Sequence, residues 1–106
     1  MVDDPLDALD ALIRSRKGSD PASSYTAQLF ADGRARIARK VGEEAVETVI
    51  AAMGSDSAAL TAEAADLIYH LLVLLADAGL SLDDVRAELA RRTGRSGLIE
   101  KASRSD

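Results

Sequence analysis

Five carboxylates in this chain fall in two short clusters, Glu43-Glu44-x-x-Glu47 and Glu63-x-x-Asp66, inside stretches otherwise as apolar as a protein core. Charge is costly to bury without a partner. A fold that brings these groups together therefore needs a cation between them, and hard oxygen ligands suit a divalent metal such as magnesium. The chemistry such a centre supports is attack of an activated water on a polyphosphate.

Helical spacing explains the pattern. Residues three or four apart project from one helix face, so Glu44 with Glu47, and Glu63 with Asp66, each present two carboxylates one turn apart. Two such helices set antiparallel would converge four carboxylates on one point. Magnesium keeps part of its octahedral shell as water, which leaves room for a substrate phosphate. Without a cation, carboxylates that close push one another's pKa upward and destabilise the fold. A di-iron carboxylate bundle would use Glu-x-x-His motifs; here His70 follows Asp66 by four residues instead. Against this stands the bland reading, in which paired glutamates are solvated and Lys40 to Glu44 is an ordinary i,i+4 ion pair.

The elements that must position these groups read as helices. Asp4-Pro5 is a cap followed by proline at the first helical position, opening a helix to about Lys17 with Leu6, Leu9, Leu12 and Ile13 on its apolar face. Lys17 to Ser24 is a loop by composition, and Ser23 or Ser24 can cap a short helix over Tyr25 to Ala31. A third helix is expected over Arg34 to Met53 and a fourth over Ser57 to Ala78, ended by Gly54 and Gly79. Ser81-x-x-Asp84 resembles a capping box and opens a fifth helix to about Thr93. The two long helices, joined by a short turn, should pack antiparallel as in a bundle. The run from Leu67 to Ala76 is too short to span a bilayer and reads as a buried helix.

Composition bounds the class. The 106 residues suit a single domain with one modest core. Hydrophobic residues are 47% and aromatics only 3%, so aliphatic side chains and alanine fill that core, and they favour helix. A formal net charge of -5 argues against nucleic-acid binding. There are no cysteines, which excludes disulfides and thiolate metal sites and suits a cytoplasmic protein. The N-terminus lacks a secretory pattern, and no membrane partner is expected.

The residues around the carboxylates then narrow the reading. Glu43-Glu44-x-x-Glu47 followed by Glu63-x-x-Asp66 resembles the all-α, MazG-like nucleotide pyrophosphohydrolase superfamily. The run Ser24-Tyr25-Thr26-x-x-Leu29-Phe30-x-x-Gly33, then Ile37-x-x-Lys40, then Asp66-Leu67-Ile68-Tyr69-His70, is similar to the phosphoribosyl-ATP pyrophosphohydrolase family over about Leu6 to Leu89. The resemblance implies an all-α helical bundle of four to five helices completed by dimerisation, over residues 1–94, with a basic tail over 95–106. It implies cleavage of phosphoribosyl-ATP to phosphoribosyl-AMP and pyrophosphate, the second step of histidine biosynthesis, with magnesium. It also implies a stand-alone, homodimeric enzyme without the cyclohydrolase to which some relatives are fused. Carried over, Glu44, Glu47, Glu63 and Asp66 are the magnesium ligands, and Glu43 orients a water or lies behind them. The expected mechanism is attack of a magnesium-acidified water on the α–β anhydride, with a neighbouring carboxylate, from among Glu43, Glu44 and Glu47, taking the proton.

Supporting residues carry two readings each. Arg36 and Lys40, on the same stripe as the acidic cluster, either hold substrate phosphates or balance the carboxylates. Arg14, Arg16 and Lys17 suit the dipole at the end of the first helix. His70 is expected as a satisfied core or interface histidine bonded to Asp66 or Asp77. Tyr25 and Phe30 cover the core or a dimer interface, with Tyr25 stacked on adenine as the sharper alternative. Lys101 and Arg104 belong to a tail that is either disordered or closes over the polyphosphate. Two rival functions share these residues: a house-cleaning nucleoside triphosphate pyrophosphohydrolase, and a non-catalytic helical dimerisation domain with a polar seam.

Overall fold

The computed structural model describes residues 4–93, and within them the chain forms five α-helices and one short 3₁₀ turn: α1 Pro5–Ser15, the 3₁₀ turn Pro21–Ser23, α2 Tyr25–Asp32, α3 Arg34–Ala52, α4 Ser57–Asp77 and α5 Leu82–Arg92. The expected all-α architecture is what forms. The tail residues Lys101 and Arg104, and the proposed boundary at 94/95, lie outside the described residues.

Local chemistry sets the helix ends. The Asp4 carboxylate accepts from the Leu6 N–H at 2.9 Å, Ser24 Oγ from Ala27 at 3.0 Å, and Asp56 from Ala58 and Ala59. Each satisfies an otherwise orphaned donor of a first turn. Asp84 completes the box by accepting from the Ser81 N–H at 2.8 Å. Gly33 serves as both the end of α2 and the start of α3, at φ 100°. That left-handed conformation is one a side chain disfavours, and it turns the chain sharply with no linker. At the same end of the antiparallel pair, Gly79 at φ 78° and Leu80 return their N–H groups to Ala76 and Leu75, a Schellman closure of α4.

The loop read over Lys17 to Ser24 contains one more turn than expected, because Asp20 caps Pro21–Ser23 by accepting from Ala22. α1 ends at Ser15 rather than Lys17. Lys17 does not serve its own helix; its Nζ donates to the Ala76 carbonyl at 3.0 Å and so caps α4 across the fold.

Ile13, Leu29, Ile37, Leu72, Val73 and Ala76 form the buried core, drawn from α1, α2, α3 and α4. The most extensive helix–helix contact is α3 with α4. Their direction follows from the pairs they make: Arg34 at the start of α3 bonds Asp77 at the end of α4, with Nε to Oδ2 at 2.9 Å and a second nitrogen to the Asp77 carbonyl at 3.1 Å. Farther along, Glu44 meets Glu63 and Asp66. Both pairs fit one antiparallel register. Arg86 bridges α5 to Asp4 and Asp7 while pairing with Asp83 on its own helix, and Asp10 of α1 lies buried beside the Leu82 N–H. α5 is thereby tied to α1.

α4 is not the buried helix that its apolar run suggested. Only His70, Leu72, Val73 and Ala76 are buried, while Ile68 and Leu71 are each 41% exposed. On α3, Val46, Val49, Ile50 and Met53 recur at helical spacing and form an exposed apolar stripe. α1 and α2 cover one side of the α3–α4 pair, and among the described residues nothing covers the other.

Leu72→Ala should remove a fully buried side chain from this small core. Chemical denaturation should read a loss of about 2–5 kcal/mol, and a smaller loss would show that the core is not centred there.

Candidate metal centre

Positions 44, 63 and 66 come together because α3 and α4 run antiparallel with Glu44 on the contacting face. One carboxylate oxygen from each of Glu44, Glu63 and Asp66 lies within 4.8 Å of the others. Burial falls off across the group: Glu44 is buried, Glu63 half-buried and Asp66 exposed. The cluster therefore opens to solvent on the Asp66 side.

The charges there are not balanced by hydrogen bonds. Among the described residues, Glu44 Oε2 and Glu63 Oε2 are buried atoms without a hydrogen-bond partner. Orphaned buried acceptors are rare, and each calls for an explanation such as a bound ion. The three oxygens are close enough that small side-chain rotations would let Glu44, Glu63 and Asp66 hold one such ion. The donor set is all hard oxygen, which fits magnesium and excludes soft-metal selection. The residues present thus fit a divalent cation.

Lys40 supplies the nearby positive charge, with its Nζ 3.5 Å from Glu43 and 3.6 Å from Glu44. Desolvation pulls the ammonium pKa down, but Tyr25, Glu43 and Glu44 outweigh it and hold Lys40 above the ordinary lysine value. It stays cationic throughout the physiological range. Arg36 is placed otherwise: its guanidinium turns back to pair with Asp32 at the end of α2, away from the carboxylates.

Glu43 and Glu47 occupy the next sector of α3. With Gly42 and Val46 they border an open depression of about 510 Å³. The expected convergence of four carboxylates is therefore three plus one. Glu47 lies three residues beyond Glu44, about 60° around the helix, and remains exposed while α4 meets the Glu44 side.

Behind the cluster lies a polar knot between α2 and α4. The buried His70 ring, 5% exposed, holds the Asp66 carbonyl oxygen 2.8 Å from Nδ1 and the Tyr25 hydroxyl 3.1 Å from Nε2. It is the satisfied histidine the sequence suggested, but its partner is the backbone of Asp66 rather than a carboxylate, and Asp77 belongs to Arg34. Tyr25, 44% exposed, stacks with Tyr69 at 6.3 Å, and Tyr69 in turn bonds Thr26. Phe30 packs against the core. Tyr69 and Thr26 lie in the runs that carry the family resemblance, but the sequence alone gives neither a role in the site; their pairing depends on how α2 meets α4.

A test independent of turnover follows from the crowding. Carboxylates whose oxygens lie within 4.8 Å of one another repel in the metal-free protein. Glu63→Gln should raise the melting temperature of the metal-free protein by a few degrees and remove most of the stabilisation that magnesium gives the parent chain. A lower metal-free melting temperature, with magnesium stabilisation intact, would contradict the centre.

Comparison with known proteins places these residues in context. The family model for phosphoribosyl-ATP pyrophosphohydrolase matches residues 6–93. A protein of Rhizorhabdus wittichii called phosphoribosyl-ATP pyrophosphatase is 60% identical over 99 residues, covering 93% of both chains. Proteins of the same name from Paramagnetospirillum magneticum and Azospirillum brasilense are each 59% identical. They cover 94% and 93% of this chain and 92% and 89% of their own.

Proposed function

This chain belongs to the phosphoribosyl-ATP pyrophosphohydrolase family, and from that premise we propose how it works. It hydrolyses the α–β anhydride of phosphoribosyl-ATP to phosphoribosyl-AMP and pyrophosphate, the second step of histidine biosynthesis. One observation of this chain carries the site assignment: three carboxylates from two antiparallel helices converge with buried oxygens left unpartnered.

In this reading the cation is magnesium, held by Glu44, Glu63 and Asp66, with Glu47 as the fourth ligand from the edge of the depression. Magnesium supplies charge neutralisation and lowers the pKa of water. The chain's own groups do the rest. Glu43, exposed beside the depression, is the carboxylate that takes the proton of the attacking water. Lys40 meets the polyphosphate oxygens, its cost in leaving Glu43 and Glu44 offset by magnesium's charge. Tyr25 contacts the nucleoside end. Arg36, paired with Asp32, takes part only after exchanging that partner, and Lys101 and Arg104 are candidates to close over the polyphosphate.

The partner is a second copy of this chain. Val46, Val49, Ile50 and Met53, together with Ile68 and Leu71, make an apolar face of the kind monomeric proteins rarely leave exposed. α4, at 21 residues, is long and apolar enough to cross a membrane by length and composition alone. Yet Glu63, Asp66 and His70 sit in its middle, where a bilayer would tolerate them poorly. We therefore assign the chain to the cytoplasm, with neither a membrane nor a nucleic acid as partner.

Pyrophosphate release from phosphoribosyl-ATP should occur with magnesium and stop with a chelator. Ordinary and non-standard nucleoside triphosphates should be cleaved at least 100-fold less efficiently; comparable rates on those would favour a house-cleaning enzyme. Glu47→Ala should lower kcat by about 100-fold or more, equivalent to roughly 3 kcal/mol of barrier. Normal turnover in that variant would remove Glu47 from the site.

A further inference from the structure

The hydrogen bonds around His70 have a fixed direction, and that direction determines what Tyr25 offers to a ligand. A backbone carbonyl only accepts, so the 2.8 Å contact with the Asp66 oxygen requires the proton to be on His70 Nδ1. In the neutral ring Nε2 is then an acceptor, and the hydroxyl of Tyr25, 3.1 Å away, is its donor. The single proton of Tyr25 is committed inward. What remains on the phenolic oxygen is lone-pair density, on a side chain that is 44% exposed.

Tyr25 stands next to the reaction site. Its histidine partner is one helical turn beyond Asp66, and Lys40, paired with Glu43 and Glu44, lies within its electrostatic reach. Stacking with Tyr69, itself held by the hydrogen bond between the Tyr69 and Thr26 hydroxyls, fixes the ring. A phosphate oxygen brings only lone pairs and would be repelled by an oriented acceptor. A hydroxyl or amino group of a nucleoside brings the missing proton.

We propose that Tyr25 is a specificity-determining residue that accepts a hydrogen bond from a hydroxyl or amino group on the nucleoside portion of the substrate, with His70 as the positioning residue that sets its polarity. The proposal rests on the nucleotide-hydrolase reading above and deepens it. It divides the site into a phosphate end read by cations and a nucleoside end read by an acceptor. A site built to pair a substrate hydroxyl or amino group rejects compounds lacking one, because the site's own group is then left unpaired.

Binding by calorimetry, with magnesium present, separates the possibilities. The probes are inorganic tripolyphosphate, which carries no nucleoside, and the α,β-methylene analogue of ATP, which is not cleaved at the α–β bond. Tyr25→Phe should weaken the nucleotide analogue about five- to tenfold, the range of one lost hydrogen bond, and leave tripolyphosphate within twofold. Among 2′-deoxy, 3′-deoxy and 6-deamino versions of the analogue, one should bind the parent chain five- to tenfold more weakly and bind Tyr25→Phe no more weakly than the complete analogue does. Equal weakening of both probes, or of neither, overturns the proposal, as does a parent chain that binds the nucleotide no better than tripolyphosphate. Nitrogen NMR of the imidazole adds a direct check: an unprotonated Nε2 is expected, and a proton there instead of on Nδ1 reverses the polarity and overturns it. Pyrophosphate release from phosphoribosyl-ATP is scored separately, so loss of the hydrolase reading and loss of this one are distinguishable.

Discussion

Placing three carboxylates within 4.8 Å of one another, two of them with buried and unpartnered oxygens, is a conformation a polypeptide does not adopt by preference. Repulsion and desolvation both act against it, so the rest of the structure must hold it. The antiparallel α3–α4 pair does this. Arg34 and Asp77 fasten one end, the Schellman turn at Gly79 and the Lys17 cap finish α4, and the core of Ile37, Leu72, Val73 and Ala76 clamps the two helices below the acidic line.

The same constraint shapes the rest of the molecule. A core of this size, built from few aromatic residues, is small for a chain of this length, and much of the apolar surface of α3 and α4 is left outward. In the proposed dimer those stripes cover each other, and the site is stiffened from the side that α1 and α2 do not reach. Function and assembly then draw on the same two helices: one sector of each carries charge, another carries the core, and a third carries the outward apolar face.

Local features were readable in the sequence because their causes are local. The caps at Asp4, Ser24 and Asp84 each involve groups within three residues, and their side chains are where the pattern placed them. The carboxylate pairing was readable because residues three or four apart must share a helix face. Features that depend on tertiary register were not. Which sector of α3 meets α4 decides that Glu44 joins Glu63 and Asp66 while Glu47 remains with Glu43 on the depression. Lys17 looked like a cap for its own helix and instead caps a neighbour. Arg36 shares a stripe with the acids yet finds Asp32, one turn back and nearer. The sequence leaves Asp66 and Asp77 as partners for His70, and only the fold shows that Asp66 is used, through its carbonyl rather than its carboxylate.

The central claim, that a divalent cation sits between α3 and α4 on Glu44, Glu63 and Asp66, is tested most directly by titrating manganese into the isotopically labelled protein and following amide signals by NMR. Paramagnetic broadening at substoichiometric metal should appear first around residues 44, 63 and 66, fade along both helices, and be displaced by excess magnesium. Broadening centred instead on the acidic first turn of α5 at Asp83 and Asp84, or spread evenly over the acidic surface, would contradict the account.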